Sequence, residues 1–299
     1  MWTLFISSLP PKKNKMYSKK FQELVNSAYV KSNEFYRGKQ FNEPNPYYLG
    51  FGNPNSKILI LGNEKSIKAK QKEKIYTDST INSESIQNPN HWKKIITDNI
   101  TDISYDFQSK TGFKNPLYPY YKEKTNKMGT WAYYQKLIKE YYPELDTEKT
   151  ENSFFKKVFI SEINHEVSKK QLGNQRNPIR TKLLNHEFYK SFPITILAVG
   201  GYLTRKEIEK RFNVEFADKK SKPNKKLEIY QDTEKERLVV CIRQLSNFRY
   251  DKIEIKEYFE KIINSIKEGN EVNGYERPFS IIKKKNERKN RKNHLEKVR

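Results

Sequence analysis

Four short apolar runs punctuate a chain that is otherwise polar or amphipathic. They are Lys57-Ile58-Leu59-Ile60-Leu61, Val158-Phe159-Ile160-Ser161, Ile194 to Val199, and Leu238-Val239-Val240-Cys241-Ile242. The first follows the turn former Asn53-Pro54-Asn55 and stops at Gly62, and the third stops at Gly200-Gly201. Runs of this length between breakers read as buried strands rather than helices. Between them, apolar positions recur at three- and four-residue spacing. Phe21, Leu24, Val25, Ala28 and Tyr29 predict a helix within 10–45; Trp92, Ile95 and Ile96 predict one from His91 to Ile100. Trp131, Tyr134, Leu137, Ile138 and Tyr141 predict another from about Thr130 to Tyr142. Further helices are expected from Arg180 to Phe192, over 205–212 with Thr204 as N-cap, and over 251–267. Strands alternating with helices predict an α/β fold, a central mostly parallel four-stranded sheet covered on both faces in a three-layer α/β/α sandwich.

Polar residues gather where three of these strands end. Asn63 and Glu64 follow the first, Glu162 and Asn164 close the second, and Arg243-Gln244-Leu245-Ser246-Asn247 follow the fourth. In an open α/β sheet the carboxyl ends of the strands are the edge where ligands bind. An ordinary surface turn is the competing reading of the first loop. Residues 66–90 read as a long polar loop directly after it, and 110–127, with two prolines and Tyr118-Pro119-Tyr120-Tyr121, as a loop with aromatic contacts.

Charge narrows the partner. Lys and Arg outnumber Asp and Glu by 59 to 36, a formal net charge of +23. The commonest polyanion to meet such a surplus is nucleic acid. An anionic membrane surface competes, but no apolar segment approaches transmembrane length. Cys241 is the only cysteine, which excludes an intrachain disulfide framework and a four-cysteine metal site and fits a reducing, cytoplasmic setting. The histidines show no ligand spacing, so neither metal nor cofactor is expected, and nothing implies an obligate protein partner. The divisions expected are a basic helical extension over 1–45, an α/β domain over 46–268 and a basic tail over 269–299.

Three segments bear a family resemblance. GNPNSKILILGNEKS resembles the G-x-G-N-P-x-A-K-I-x-x-x-G opening of the uracil-DNA glycosylase superfamily. FPITILAVGGYL is similar to that family's third strand, and CIRQLSNFR to its H-P-S-P-L-S-x-x-R loop. The resemblance spans roughly residues 46 to 262 and implies a divergent member of that superfamily. It implies a monofunctional DNA glycosylase, which flips a base out of DNA and hydrolyses its N-glycosidic bond.

On that resemblance the water-activating carboxylate, or an amide substitute, falls at Glu64 or Asn63. A carboxylate there polarises water and stabilises an oxocarbenium-like sugar. Ser66 stands where classical members hold a bulky tyrosine, leaving the 5-position of the base open. Glu162 takes the place of a base-reading asparagine; as an acceptor it matches an exocyclic amino group, unless it is a structural ion pair and Asn164 reads the base. The implied substrate is a modified (5-substituted) cytosine or uracil, in defence against phage with modified DNA. Cys241 departs from the family's catalytic histidine and reads as a small buried hydrophobe. Arg243 would stabilise the departing base. Gln244 belongs to the same DNA-facing loop, in which Leu245 would wedge into the duplex and Ser246 and Arg249 would hold phosphates. His165 is a candidate substitute acid, and Tyr76, Phe107, Tyr118 and Tyr120 are candidate stacking platforms. The rivals are a catalytically degenerate DNA-binding protein of the same fold and a metal-dependent nuclease.

Overall fold

The computed structural model describes residues 17–39, 44–63, 65–66, 86–100, 130–145, 153–165, 167–168, 177–219, 227–232, 237–245, 257, 259–264 and 266. Nine strands and seven helices are assigned among them. The strands are β1 (Phe51–Gly52), β2 (Ile58–Gly62), β3 (Lys65–Ser66), β4 (Val158–Glu162), β5 (Val167–Ser168), β6 (Ile194–Ala198), β7 (Glu215–Lys219), β8 (Leu227–Asp232) and β9 (Arg237–Ile242). The helices are α1 (Lys19–Tyr36), α2 (Asn88–Thr97), α3 (Thr130–Tyr141), α4 (Ser153–Lys157), α5 (Pro178–Leu184), α6 (Glu187–Lys190) and α7 (Arg205–Phe212). Residues 259–264 are also helical.

The fold is α/β, built on a mixed seven-stranded sheet in the order β1-β4-β2-β6-β9-β8-β7. Its centre, β4-β2-β6-β9, consists of the four expected strands, and neighbours there run parallel. The sheet is wider than the four strands expected, because β1, β8 and β7 add antiparallel neighbours at its two sides. Every residue of β2, β4, β6 and β9 is buried. Successive side chains on a strand point to opposite faces, so both faces are covered.

Aromatic packing identifies what covers one face. Phe159 on β4 meets Phe21 of α1, Trp92 of α2, Phe188 of α6 and Phe192, with ring centroids 5.2–6.1 Å apart. Phe21 also tilts against Phe188 at 4.7 Å and stands edge-on to Trp92 at 5.0 Å. The helix expected in an N-terminal extension is therefore integral to the core: Phe21, Val25 and Ala28 of α1 are fully buried. On the opposite face, Tyr134 of α3 lies over Gly62 at the end of β2.

Local chemistry sets the helix boundaries. Thr204 caps α7 through a reciprocal capping box with Glu207. The single helix expected from Arg180 to Phe192 is two. Asn177 accepts from the Ile179 and Arg180 amides with Pro178 at N1, and His186 accepts from the Phe188 amide to start α6 anew. Gly50 holds a positive φ of 135°, and a Cβ there would collide with the Ile160 carbonyl across the β1–β4 pair. The expected basic tail and the aromatic loop over 110–127 lie outside the described residues. No described helix is long and apolar enough to cross a membrane.

Candidate functional site

Register brings the strand ends into one line. Gly62 pairs with Glu162 across β2–β4, Leu61 with Leu197 across β2–β6, and Ala198 with Ile242 across β6–β9. Glu162, Gly62, Ala198 and Ile242 therefore form one lateral row, with Asn63 and Arg243 one residue beyond it. Three strand spacings separate Glu162 from Ile242, about 14 Å of sheet edge. The ladder continues past the strands: the Ile163 and Asn164 amides donate to the Gly62 and Asn63 carbonyls, both at 2.8 Å, and the Gly200 amide to the Ile242 carbonyl at 3.0 Å. Beyond a short interruption β2 and β4 resume as the parallel pair β3–β5, which sets Ser66 opposite Ser168.

Glu162 is the central group. It is only 5% exposed, and Gly62 makes room for it. A Cβ at Gly62 would collide with the Glu162 Oε2 and stand 2.9 Å from the Tyr134 hydroxyl, so both oxygens crowd the space above that glycine. Tyr134 is fully enclosed, and burial first, then the Glu162 charge, raises its pKa well above the phenol's ordinary value. It is thus a neutral hydroxyl at working pH.

From the other side of the strand, Arg180 of α5 grips the same residue. Its Nε donates to the Glu162 carbonyl at 3.0 Å, and Nη2 donates to that carbonyl and, at 2.7 Å, to the Ser161 hydroxyl. Nη1 donates to the Tyr48 carbonyl. Arg180 is 1% exposed. Burial lowers its pKa, while Tyr189, Tyr48 and Glu162 work against that loss. Neither Arg180 nor Tyr134 was singled out from sequence as a site residue. An arginine and a tyrosine on amphipathic helices carry no signal that separates a site from a helix face.

Asn63 is 2% exposed, its carbonyl is held by Asn164, and neither its Oδ1 nor its Nδ2 has a hydrogen-bond partner among the described residues. Leaving a buried amide unsatisfied costs roughly 1–3 kcal/mol per group, so this amide is open to a partner beyond the described residues. Asn164 and Gln244 are buried, and Arg243 is partly buried. The Gln244 amide lies 3.7 Å from where a Cβ on Gly200 would sit, which places the β9 end against the β6 end.

Leu245, expected as a wedge, is fully buried within the core cluster. Cys241 is fully buried, its thiol 4.0 Å from the Gly200 carbonyl, and it packs as a small apolar residue. Burial first, and Arg180 second, push the His165 pKa down to about 3. Its imidazole is neutral, not an imidazolium, at physiological pH. Glu64, Ser246, Arg249 and the aromatics Tyr76, Phe107, Tyr118 and Tyr120 lie outside the described residues, and of Ser66 only the backbone is described. Among the described residues no group of three or more His, Cys, Asp or Glu side chains gathers as a metal cage.

Comparison with known proteins brings no relative into view: no family model matches the chain, and no curated protein matches it significantly.

Proposed function

We propose that the protein is a monofunctional DNA glycosylase of the cytoplasm. In this reading it is a divergent member of the uracil-DNA glycosylase superfamily with that family's three-layer α/β/α core. It extrudes a base from DNA and hydrolyses its N-glycosidic bond, acting on a modified (5-substituted) cytosine or uracil in defence against phage with modified DNA. One observation carries the reading. Three of four adjacent parallel strands bring Asn63, Glu162, Asn164, Arg243 and Gln244 to a single carboxyl-terminal edge. That is the edge at which open α/β sheets bind ligands.

In this reading Glu64, or the Asn63 amide, orients the attacking water, and Glu162 with Asn164 reads the base edge. Ser66 leaves the 5-position open. Arg243 stabilises the charge that collects on the leaving base, since a guanidinium presents several N–H donors in a fixed fork. The surplus of +23 supplies the affinity for phosphates.

The test is base release, followed by mass spectrometry, from duplexes carrying uracil or 5-substituted cytosines. Glu64→Gln should abolish abasic-site formation and keep DNA binding. A second reading, a DNA-binding protein without catalysis, draws on Cys241, a buried thiol where the family holds its histidine. It requires no abasic sites from either form.

A further inference from the structure

The most constrained side chain near this edge is one to which the proposed function gives no part. Arg180 is fully enclosed, yet the oxygens it meets are uncharged: the Glu162 and Tyr48 carbonyls and the Ser161 and Tyr189 hydroxyls. A buried guanidinium is costly to desolvate, none of these contacts is an ion pair, and the nearby Glu162 charge offsets only part of the cost. If the fold needed only a filled space, an apolar side chain of similar size would serve it better. What Arg180 gains is geometry. Nε and Nη2 close on one carbonyl as a fork, a contact that fixes direction as well as distance, which a lysine ammonium cannot copy.

The gripped carbonyl belongs to Glu162, at the last residue of β4. Ser161, held by the same guanidinium, is the residue before it. The third contact, to Tyr48, ties this strand end to the segment leading into β1, where the Tyr189 hydroxyl also donates to the Leu49 carbonyl at 2.8 Å. On the opposite face the Glu162 carboxylate stands over Gly62 beside the Tyr134 hydroxyl. The main chain of Glu162 is therefore clamped from the α5 side while its carboxylate is confined from the α3 side.

We propose that Arg180 is a positioning residue: its forked contact fixes the end of β4 and thereby aims the Glu162 carboxylate at the strand-end site. The kinetic consequence rests on the glycosylase reading, whereas the placement of the strand end does not. Loss of the fork should free the last rungs of the β4–β2 ladder, the Ile163 and Asn164 amides, and leave rungs at the far end of the sheet closed. Those are the Ile194 amide on the Lys57 carbonyl and the Leu238 amide on the Pro193 carbonyl.

The experiment uses the full chain with Arg180→Lys, which keeps the charge without the fork, and Arg180→Met, which removes both. Ser161→Ala serves as the milder variant should either fail to fold. Amide hydrogen exchange at Ile163 and Asn164 is expected to quicken about tenfold or more in both Arg180 variants, with Ile194 and Leu238 unchanged. Single-turnover base release should fall about a hundredfold with DNA affinity retained. Unchanged exchange at the β4 end, or equal acceleration at all four amides, overturns the proposal. So does full base release by Arg180→Lys, while leaving the glycosylase reading intact. If the unmodified protein releases no base, the glycosylase reading fails, and the exchange pattern alone still decides what Arg180 does.

Discussion

At the scale of single residues, the site depends on a missing side chain. Gly62 lends its empty space to the Glu162 carboxylate and the Tyr134 hydroxyl. Gly62→Ala should push the carboxylate out of register, because Tyr134 is itself enclosed and cannot yield. The expected outcome is a loss of stability of roughly 1–3 kcal/mol by denaturant titration, as for other overpacked sites. If the protein is the glycosylase proposed, base release should fall by about tenfold or more, because displacing a positioned group by even an ångström is costly. His165 gives a prediction in pH. Its pKa falls from 6.5 in the unfolded chain to about 3 in the fold. Below the higher value the unfolded chain takes up a proton that the folded chain refuses. The histidine's neutral burial is therefore harmless above that pH, and stability is lost as pH falls toward the lower value. The loss is at most roughly 5 kcal/mol for a shift of this size. His165→Gln should flatten the decline in melting temperature between neutral pH and about pH 4 relative to the unmodified protein; a parallel decline in both would refute the assignment.

At the scale of elements, sequence and structure agree where a segment is apolar on both sides. Strands β2, β4, β6 and β9 are legible because central parallel strands are buried on both faces and read as unbroken apolar runs. Strands β7 and β8 are not, because the exposed Glu215 and the partly buried Glu228 and Gln231 dilute the pattern to something a loop also shows. The strand ends, and with them Asn63, Glu162 and Arg243, follow from the same runs. Arg180 does not, since its importance comes from three carbonyl and hydroxyl contacts that only the folded chain creates. Arg237 is a comparable case. It sits on β9, holds Asp232 of β8 at 2.9 and 3.1 Å, and donates to the carbonyls of Lys190, Phe212 and Asn213. It thereby joins the β8–β9 hairpin to α6 and α7. Asp232→Ala leaves that cation buried without its partner and should cost about 3–5 kcal/mol. Thr204→Ala, which removes only the α7 cap, should cost about 1 kcal/mol and leave base release unchanged. Denaturant midpoints of the two variants, compared side by side, check the difference.

At the scale of the whole molecule, a net charge of +23 on 299 residues has to be reconciled with a site whose polar groups are buried. The two act over different ranges. On the glycosylase reading, surface lysines and arginines would meet phosphates through solvent, where salt screens them within about 8–10 Å. Glu162, Asn63 and Arg180 lie inside the protein, where screening reaches poorly. Affinity for DNA and the rate of the chemical step should therefore separate in a salt titration. The logarithm of the DNA association constant should fall against the logarithm of salt with a slope steeper than about −3, as four or more phosphate contacts require at roughly −0.9 each. Single-turnover release at saturating protein should change little over the same range. Vesicles rich in anionic lipid would compete through the same surface charges, but they offer no base to extrude, so they should weaken DNA binding without yielding any product. A salt-independent association constant would show that the charge surplus does not meet a polyanion. A release rate that fell in step with affinity would show that the chemistry happens at the exposed surface rather than among the buried strand ends.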